Sequence, residues 1–376
     1  MIRRLLISLT LLLAGLTHGA CTDCAGSAGY VVVTVAASLV DEVIPFISLD
    51  LDDLPVEWWD ELNTAGDTTG ESIRVTSSDG TTELPVHVVV FDGGADTGRA
   101  NFLATGLSAS VDTDYWIWGG NPSATMYSAS DTYGRNAVYA SYALVYTMEG
   151  GTITDVTGNH GDATLVNTPT TGQSGPVAST SAVLFDDASS EYLHDDVSGY
   201  DWPISIETWT YLDTAVTKAT AGALSSTASS TLNYMYVWNN STPRLAGTLK
   251  GGSGSESQAV WATAVSTNTW YYHVVSRDDD TGTTTVWNNG VSRATNATSV
   301  TTPTFNKFSV GALYDSAVGD YFSGKIGFTA VRLAVPSANY ASTSYAMWTN
   351  ASFSSAGAFI PQAGATGHPW FYMRRN

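Results

Sequence analysis

Positive charge is scarce in this sequence. Lys and Arg number 15 against 35 Asp and Glu, a formal net charge of −20 over 376 residues. Such a chain repels phosphate backbones and anionic lipid surfaces, which argues against nucleic-acid binding and against a peripheral membrane role. Cysteine is scarcer still, with two residues, Cys21 and Cys24, in "CTDC". A metal site needs more ligands near by, and a redox motif would need a βαβ context that the flanking sequence lacks. A small local disulfide or two idle thiols is left. Long apolar runs are missing as well: the longest, Leu5 to Leu16, falls short of the roughly 20 residues that span a bilayer. It follows Arg3 and Arg4 and precedes small residues, the three parts of an export signal. Residues 1–20 are therefore expected to be a signal-like segment with cleavage after Gly19 or Ala20, placing the protein outside the cell or on its surface, with no membrane span. His18, three positions before Cys21, does not suit a lipoprotein signal.

Helix signals are also few. What fills the chain is short runs of Val, Ile, Thr, Tyr and Trp, broken by Asp-Gly, Gly-Gly and Asn-Gly. That pattern indicates an all-β protein. "YVVVTVAASLV", "ESIRVTSS", "LPVHVVVFD" and "TDYWIWGG" are strand candidates, "SSDGTT" a hairpin turn and "PVEWWDELNT" a helix-compatible stretch. A second series includes "SAVLFDD", "ISIETWTYLD", "LNYMYVWNN", "TWYYHVVSRD", "TTTVWNNGV" and "GKIGFTAVRLAV". Its regular spacing implies a two-sheet sandwich of antiparallel strands. In "ISIETWTYLD" alternation puts Ile204, Ile206 and Thr208 on one face and Ser205, Glu207 and Trp209 on the other. Between the series, "TDVTGNHGDATL" reads as a joint: Gly158 and Gly161 supply turn geometry, and Asp155 and Asn159 hydrogen-bond the local backbone. The expected organisation is a linker at 21–29, an N-terminal β-domain at 30–150, a sandwich at 151–353 and a C-terminal tail at 354–376.

The segment "PFISLDLDDLPVEWWDELNTAGDTTGESIRVTSSDGTTELPVHVVVFD", followed by "YWIWGGNP" and "DTYGRNAVYASYALVYTMEG", resembles a bacterial and phage domain family of unknown function. That family is commonly fused to a concanavalin A-like, laminin G-like jelly roll. "DVTGNHGDATL", "AVLFDDASSEYL", "ISIETWTYLD", "NTWYYHVVSRDDDTGTTTVWNNGV" and "FSGKIGFTAVRLA" are similar to successive parts of such a sandwich, and "SYAMWTNASF" to the short helix that follows it. The resemblance implies an all-β fold with a concanavalin A-like jelly-roll β-sandwich, in which Trp209 and Trp270 are core positions. It also implies calcium, with Asp186 and Asp187 at an acidic turn as candidate ligands through oxygen. Ser323 and Gly327 stand where a later family motif has acids.

Glycan recognition uses flat aromatic faces beside amides that hydrogen-bond hydroxyls. Tyr234, Tyr236 and Trp238 alternate on one face of "NYMYVWNN", with Asn233, Asn239 and Asn240 beside them; Trp202 and Trp261 are further candidates. Glycosidase chemistry needs paired carboxylates. Glu191, Asp195 and Asp196 have the wrong spacing for one strand face, Glu207 stands alone, and His273 within a strand reads as packed or hydrogen-bonded. Asp278, Asp279 and Asp280 read as a solvated turn. The leading expectation is a non-catalytic recognition or adhesion protein that binds glycan or a cell-surface polymer. The alternatives are a bacteriophage virion protein that contacts other virion proteins or itself, and a glycoside hydrolase.

Overall fold

A computed structural model describes residues 21–362 except 41, 201–202, 215–217, 227–231, 240–242, 251–255, 279, 299–304 and 315–316. The expected export segment at 1–20 and the end of the chain lie outside the described residues. No helix among the described residues is long and apolar enough to cross a membrane.

The protein is built mainly of antiparallel strands, as the alternating pattern predicts. One antiparallel sheet has eight strands in the path Thr170–Ser174, Ser181–Phe185, Gly324–Arg332, Ile204–Leu212, Trp270–Asp278, Thr283–Asn288 and Val291–Asn296, with Leu144–Tyr146 joining Gly324–Arg332 off the path. A second has seven, in the order Glu256–Ala264, Pro243–Lys250, Leu232–Asn239, Lys218–Ser225, Phe305–Val310, Tyr192–Tyr200 and Thr164–Val166. Ile204, Ile206, Val275, Val286 and Ile326 of the first meet Leu193, Leu224, Leu245, Phe308 and Val310 of the second in one buried cluster. Burying each such side chain contributes about 1.5–3 kcal/mol.

The N-terminal block supplies a five-stranded sheet, a three-stranded sheet and the helix Val56–Ala65. Trp58, Trp59 and Leu62 line the buried side of that helix, which stops at Gly66 in the left-handed region (φ 78°). The hairpin predicted at "SSDGTT" forms: the Asp79 carboxylate accepts the Thr81 and Thr82 N–H groups at 2.7 Å, and Gly80 (φ 69°) lies against the Trp116 ring. Asn289 and Gly290 both have positive φ, 51° and 75°, as a tight primed hairpin turn requires.

Three features depart from the expected organisation. First, this block does not keep a core to itself. Its residues Phe46, Trp58, Phe102 and Tyr139 share a buried cluster with Trp209, Tyr272, Val274, Trp287 and Phe328 of the eight-stranded sheet and with Tyr340, Met347 and Trp348 of the helix Ala338–Thr349. The centre of the eight-stranded sheet, called the covered sheet below, is therefore buried on both faces: Ile204–Leu212 has one position that is not fully buried, while the edge strands Thr170–Ser174 and Val291–Asn296 are largely exposed. Second, Leu144–Tyr146, inside the N-terminal domain expected at 30–150, pairs with Val331, Ala330 and Thr329 of the sandwich. Third, the segment read as a tail from 354 opens with the strand Ser354–Pro361, which pairs with Gly29–Val35 and returns the chain to its first sheet. The segment 21–29, read as a linker, is likewise tied down. Cys21 and Cys24 form a disulfide, and Asp23 makes a 2.8 Å ion pair with the buried Arg74.

Candidate functional site

The sandwich has two outer faces, and their chemistry differs. On the covered sheet, Glu207 is 1% exposed. The Tyr272 hydroxyl donates to it at 2.6 Å and the Tyr340 hydroxyl at 2.9 Å, while Tyr142 and Tyr340 share a further 2.9 Å bond. The Arg332 guanidinium lies 4.2 Å over the Tyr340 ring. Burial raises the Glu207 carboxyl above its ordinary value, and the charge of Arg332 and the two tyrosine hydroxyls oppose that rise. Phe46, Met347 and Trp348 close over the group and leave no room for a ligand. This acid joins the N-terminal block, the sandwich and the last helix.

The outer face of the seven-stranded sheet is different, and this sheet is called the open sheet below. The shared cluster of the N-terminal block contains no residue from it. Among the described elements, a short ribbon, Leu313–Tyr314 paired with Val318–Gly319, lies against it. Leu313 packs there on Ala223, Ala246 and Val260, and the Ser225 hydroxyl donates to the Tyr314 carbonyl. Around the ribbon is an aromatic cluster. The His194 ring is 5.1 Å from Tyr314 and 5.8 Å from Tyr192, and Tyr192 is 6.0 Å from Tyr314 and 6.2 Å from Tyr321. Lys307 stands 5.2 Å over the Tyr314 ring and pairs with Asp196. Burial, then the Lys307 charge, lowers the His194 pKa, which favours a neutral imidazole in this cluster.

Register carries this face onto the predicted aromatic strand. His194 pairs with Ser309, Ser309 with Ala223, Ala223 with Tyr234 and Tyr234 with Thr248. Tyr236 pairs with Ala246, and Trp238 with Lys218 and Arg244. The strand Leu232–Asn239 is described, but the side chains of Tyr234, Tyr236, Trp238 and Asn239 lie outside the described residues, as does Trp202 entirely. The structure does not bring Trp261 to this face. Trp261 packs against the core between the sheets, with the Arg293 guanidinium 5.0 Å over its ring, whereas its neighbour Val260 packs with Ala223 and Ala246. Alternation along its strand puts the two on opposite sides. Sequence reasoning passed over Tyr192, His194, Lys307, Tyr314 and Tyr321. Their clustering depends on pairing between Tyr192–Tyr200 and Phe305–Val310, which no local pattern encodes.

The acids expected to hold calcium do not converge. Asp186 uses its carboxylate locally, accepting the Ala188 N–H at 3.0 Å and the Ser189 hydroxyl at 2.7 Å, and Asp187 is exposed. Calcium takes six to eight oxygen ligands. Among the described residues no group of three His, Cys, Asp or Glu could hold a metal, so these residues do not fit the ion. Asp278 likewise caps its own turn, accepting the Asp280 N–H at 3.0 Å.

The four candidate acids for hydrolysis stand in separate surroundings. Glu191 accepts the Asp186 N–H, Asp195 accepts the Tyr146 hydroxyl, Asp196 pairs with Lys307 on the opposite side of the strand, and Glu207 is sealed under the N-terminal block. His273 is 1% exposed, and burial lowers its pKa to about 3, so it is a neutral packed residue. The joint "TDVTGNHGDATL" is a local backbone device. Asp155 accepts N–H groups of Val145 (3.0 Å), Thr157 (3.1 Å) and His160 (2.9 Å), and the Asn159 amide donates to the Ala143 carbonyl at 3.1 Å. Gly158 has φ 79°; Gly161 is not in the left-handed region.

Residues 179–335 match the concanavalin A-like lectin/glucanases superfamily. No curated protein matches the chain. Among solved structures, domain 4 of an extracellular arabinanase from Geobacillus stearothermophilus, in complex with arabinotriose, is similar at 16% identity and TM-score 0.42, over 55% of this chain and 98% of that one. The receptor-binding domain of botulinum neurotoxin mosaic serotype C/D is similar at 11% identity and TM-score 0.44, over 56% of this chain and 51% of that one. A pentraxin from Limulus polyphemus is similar at 13% identity and TM-score 0.34, over 46% of this chain and 86% of that one. The protein is mostly β, and its sandwich is a concanavalin A-like domain.

Proposed function

We propose that this chain is a non-catalytic recognition or adhesion protein that holds a glycan or surface polymer on the outer face of the open sheet. One observation carries the reading. The N-terminal block occupies the other outer face of the sandwich, and the face left over bears Tyr192, His194, Tyr314 and Tyr321 beside Lys307. Aromatic rings with a few polar groups are the chemistry that covers sugar C–H surfaces while hydrogen-bonding hydroxyls. The separation of Glu191, Asp195, Asp196 and Glu207 supports binding over hydrolysis, since general acid and base must flank one bond. The Cys21–Cys24 disulfide suits an oxidising compartment, in keeping with secretion.

The test is binding of the full chain to a panel of purified polysaccharides, in calcium and in chelator. At least one glycan is expected to bind, and Tyr314→Ala combined with Trp238→Ala is expected to weaken it by about tenfold or more, a loss of about 1.4 kcal/mol. Loss of binding in chelator would support calcium as a cofactor. Silence across the panel, with retention on assembled virus particles instead, would sink the glycan reading in favour of a virion role.

A further inference from the structure

We infer that the glycan held by the open sheet is uncharged, and that its hydroxyl groups are read by the ion pair Asp196–Lys307 beside Tyr314; this rests on the glycan reading above and names its chemistry. The pair spans two neighbouring strands, Tyr192–Tyr200 and Phe305–Val310, whose register sets Asp196 opposite Lys307 and His194 opposite Ser309. Leu193 and Val197 point into the core between the sheets, so alternation carries Tyr192, His194 and Asp196 to the outer face. The ion pair therefore shares that face with the rings of Tyr192, His194 and Tyr314.

Its two members are unequally placed. The Asp196 side chain is 79% exposed and that of Lys307 16%. Lys307 is held from two sides, by the carboxylate and by the Tyr314 ring 5.2 Å away. Asp196 receives Lys307 on one oxygen, Oδ1, and this bond keeps its carboxyl below the ordinary value and therefore ionised. An ionised carboxylate offers about four acceptor sites on its two oxygens, and most of this one faces solvent. The result is a fixed acceptor, with an ammonium beside it, at the rim of an aromatic cluster.

Charge decides which sugars can use it. Three charges act on the His194 ring, Lys307, Asp196 and Asp195, one cation against two acids. A sugar carboxylate or sulfate ester gains from Lys307 but meets Asp196 at close range, on a chain of net charge −20. An amino sugar gains from Asp196 but meets the Lys307 ammonium that already holds it. A hydroxyl donates to the carboxylate and accepts from the ammonium, so both members of the pair favour it. Tyr314 and Tyr321 are half-buried and offer ring surface to the C–H groups of the same sugar.

The experiment is calorimetric titration of the full chain with neutral arabinan and dextran, with polygalacturonate and with chitosan, each at low and near-physiological salt. The variants are Asp196→Ala, Asp196→Asn, which keeps an acceptor oxygen without the charge, and Asp187→Asn as a control that removes an exposed acid elsewhere. An exposed ion pair contributes little to stability, so the Asp196 variants are expected to fold, with thermal midpoints near that of the parent. A neutral polysaccharide is expected to bind with the same affinity at both salt concentrations. Asp196→Ala is expected to weaken it about tenfold or more, Asp196→Asn less, and Asp187→Asn not at all. Tighter binding of polygalacturonate or chitosan, weakened by salt, would overturn the uncharged assignment and leave glycan binding standing. Unchanged affinity for the neutral glycan in Asp196→Ala would overturn the role of the ion pair. No binding to any polysaccharide would overturn both the inference and the glycan reading.

Discussion

Asp155 and Glu207 are buried carboxylates, each 1% exposed, and the sequence reveals one far better than the other. Two partners of Asp155, Thr157 and His160, lie two and five residues on, so its turn-forming role is readable from "TDVTGNHGDATL", whereas its bond to the Val145 N–H ten residues earlier is not. Those of Glu207 are 65 and 133 residues away, on a neighbouring strand and on the last helix, and in sequence the acid simply stands alone. Glu207→Ala should cost about 1–3 kcal/mol in denaturant unfolding, because it leaves the buried hydroxyls of Tyr272 and Tyr340 without their acceptor. Tyr340→Phe, which removes one donor, should cost about 1 kcal/mol. The pH dependence follows from the raised Glu207 pKa. Folding favours its protonated form, so this group's contribution is fully present below the unfolded value near 4.5 and is lost as pH rises through the folded value. Unfolding free energies measured across this range should fall less with rising pH in Glu207→Gln than in the parent. Parallel curves would remove Glu207 as the titrating group. His273 acts in the opposite sense, since burial favours its neutral form and its contribution is lost as pH falls below about 6.5 toward 3.

Among the elements, strands with strong local patterns and turns with turn-specific residues are legible, while their partners are not. Asn289-Gly290 announces its hairpin because the turn needs two positive φ angles. What it does not announce is that Gly290 meets the helix Ala338–Thr349: an added Cβ would stand 2.9 Å from the Ser342 Cα. Gly290→Ala should therefore cost about 1–3 kcal/mol, from backbone strain together with this contact, read as a lowered thermal midpoint. An unchanged midpoint would mean that the helix does not seat on this turn. Leu144–Tyr146 and Ser354–Pro361 were misplaced for the same reason. Each is a plausible short segment of either block, and only pairing with Gly324–Arg332 or Gly29–Val35 decides which. The strand that carries Tyr234, Tyr236 and Trp238 is legible, while the place of Trp261 is not, because alternation says nothing about which face of a second strand aligns with the first.

At the level of the whole molecule, the two expected domains share one buried cluster, which runs from Trp58 and Phe102 through Tyr139 to Trp209 and Phe328. Unfolding followed by calorimetry should show one cooperative transition; two resolved transitions would contradict the shared core. On the proposed reading, this sharing leaves recognition to the other outer face of the sandwich, at the residues around the ribbon that packs on Ala223 and Ala246. The most direct test of that claim is hydrogen exchange of the full chain, free and saturated with the polysaccharide that binds it most tightly. Protection is predicted in Tyr192–Tyr200, Leu232–Asn239 and Phe305–Val310 of the open sheet. Protection confined to the N-terminal block, with those strands unchanged, would contradict it.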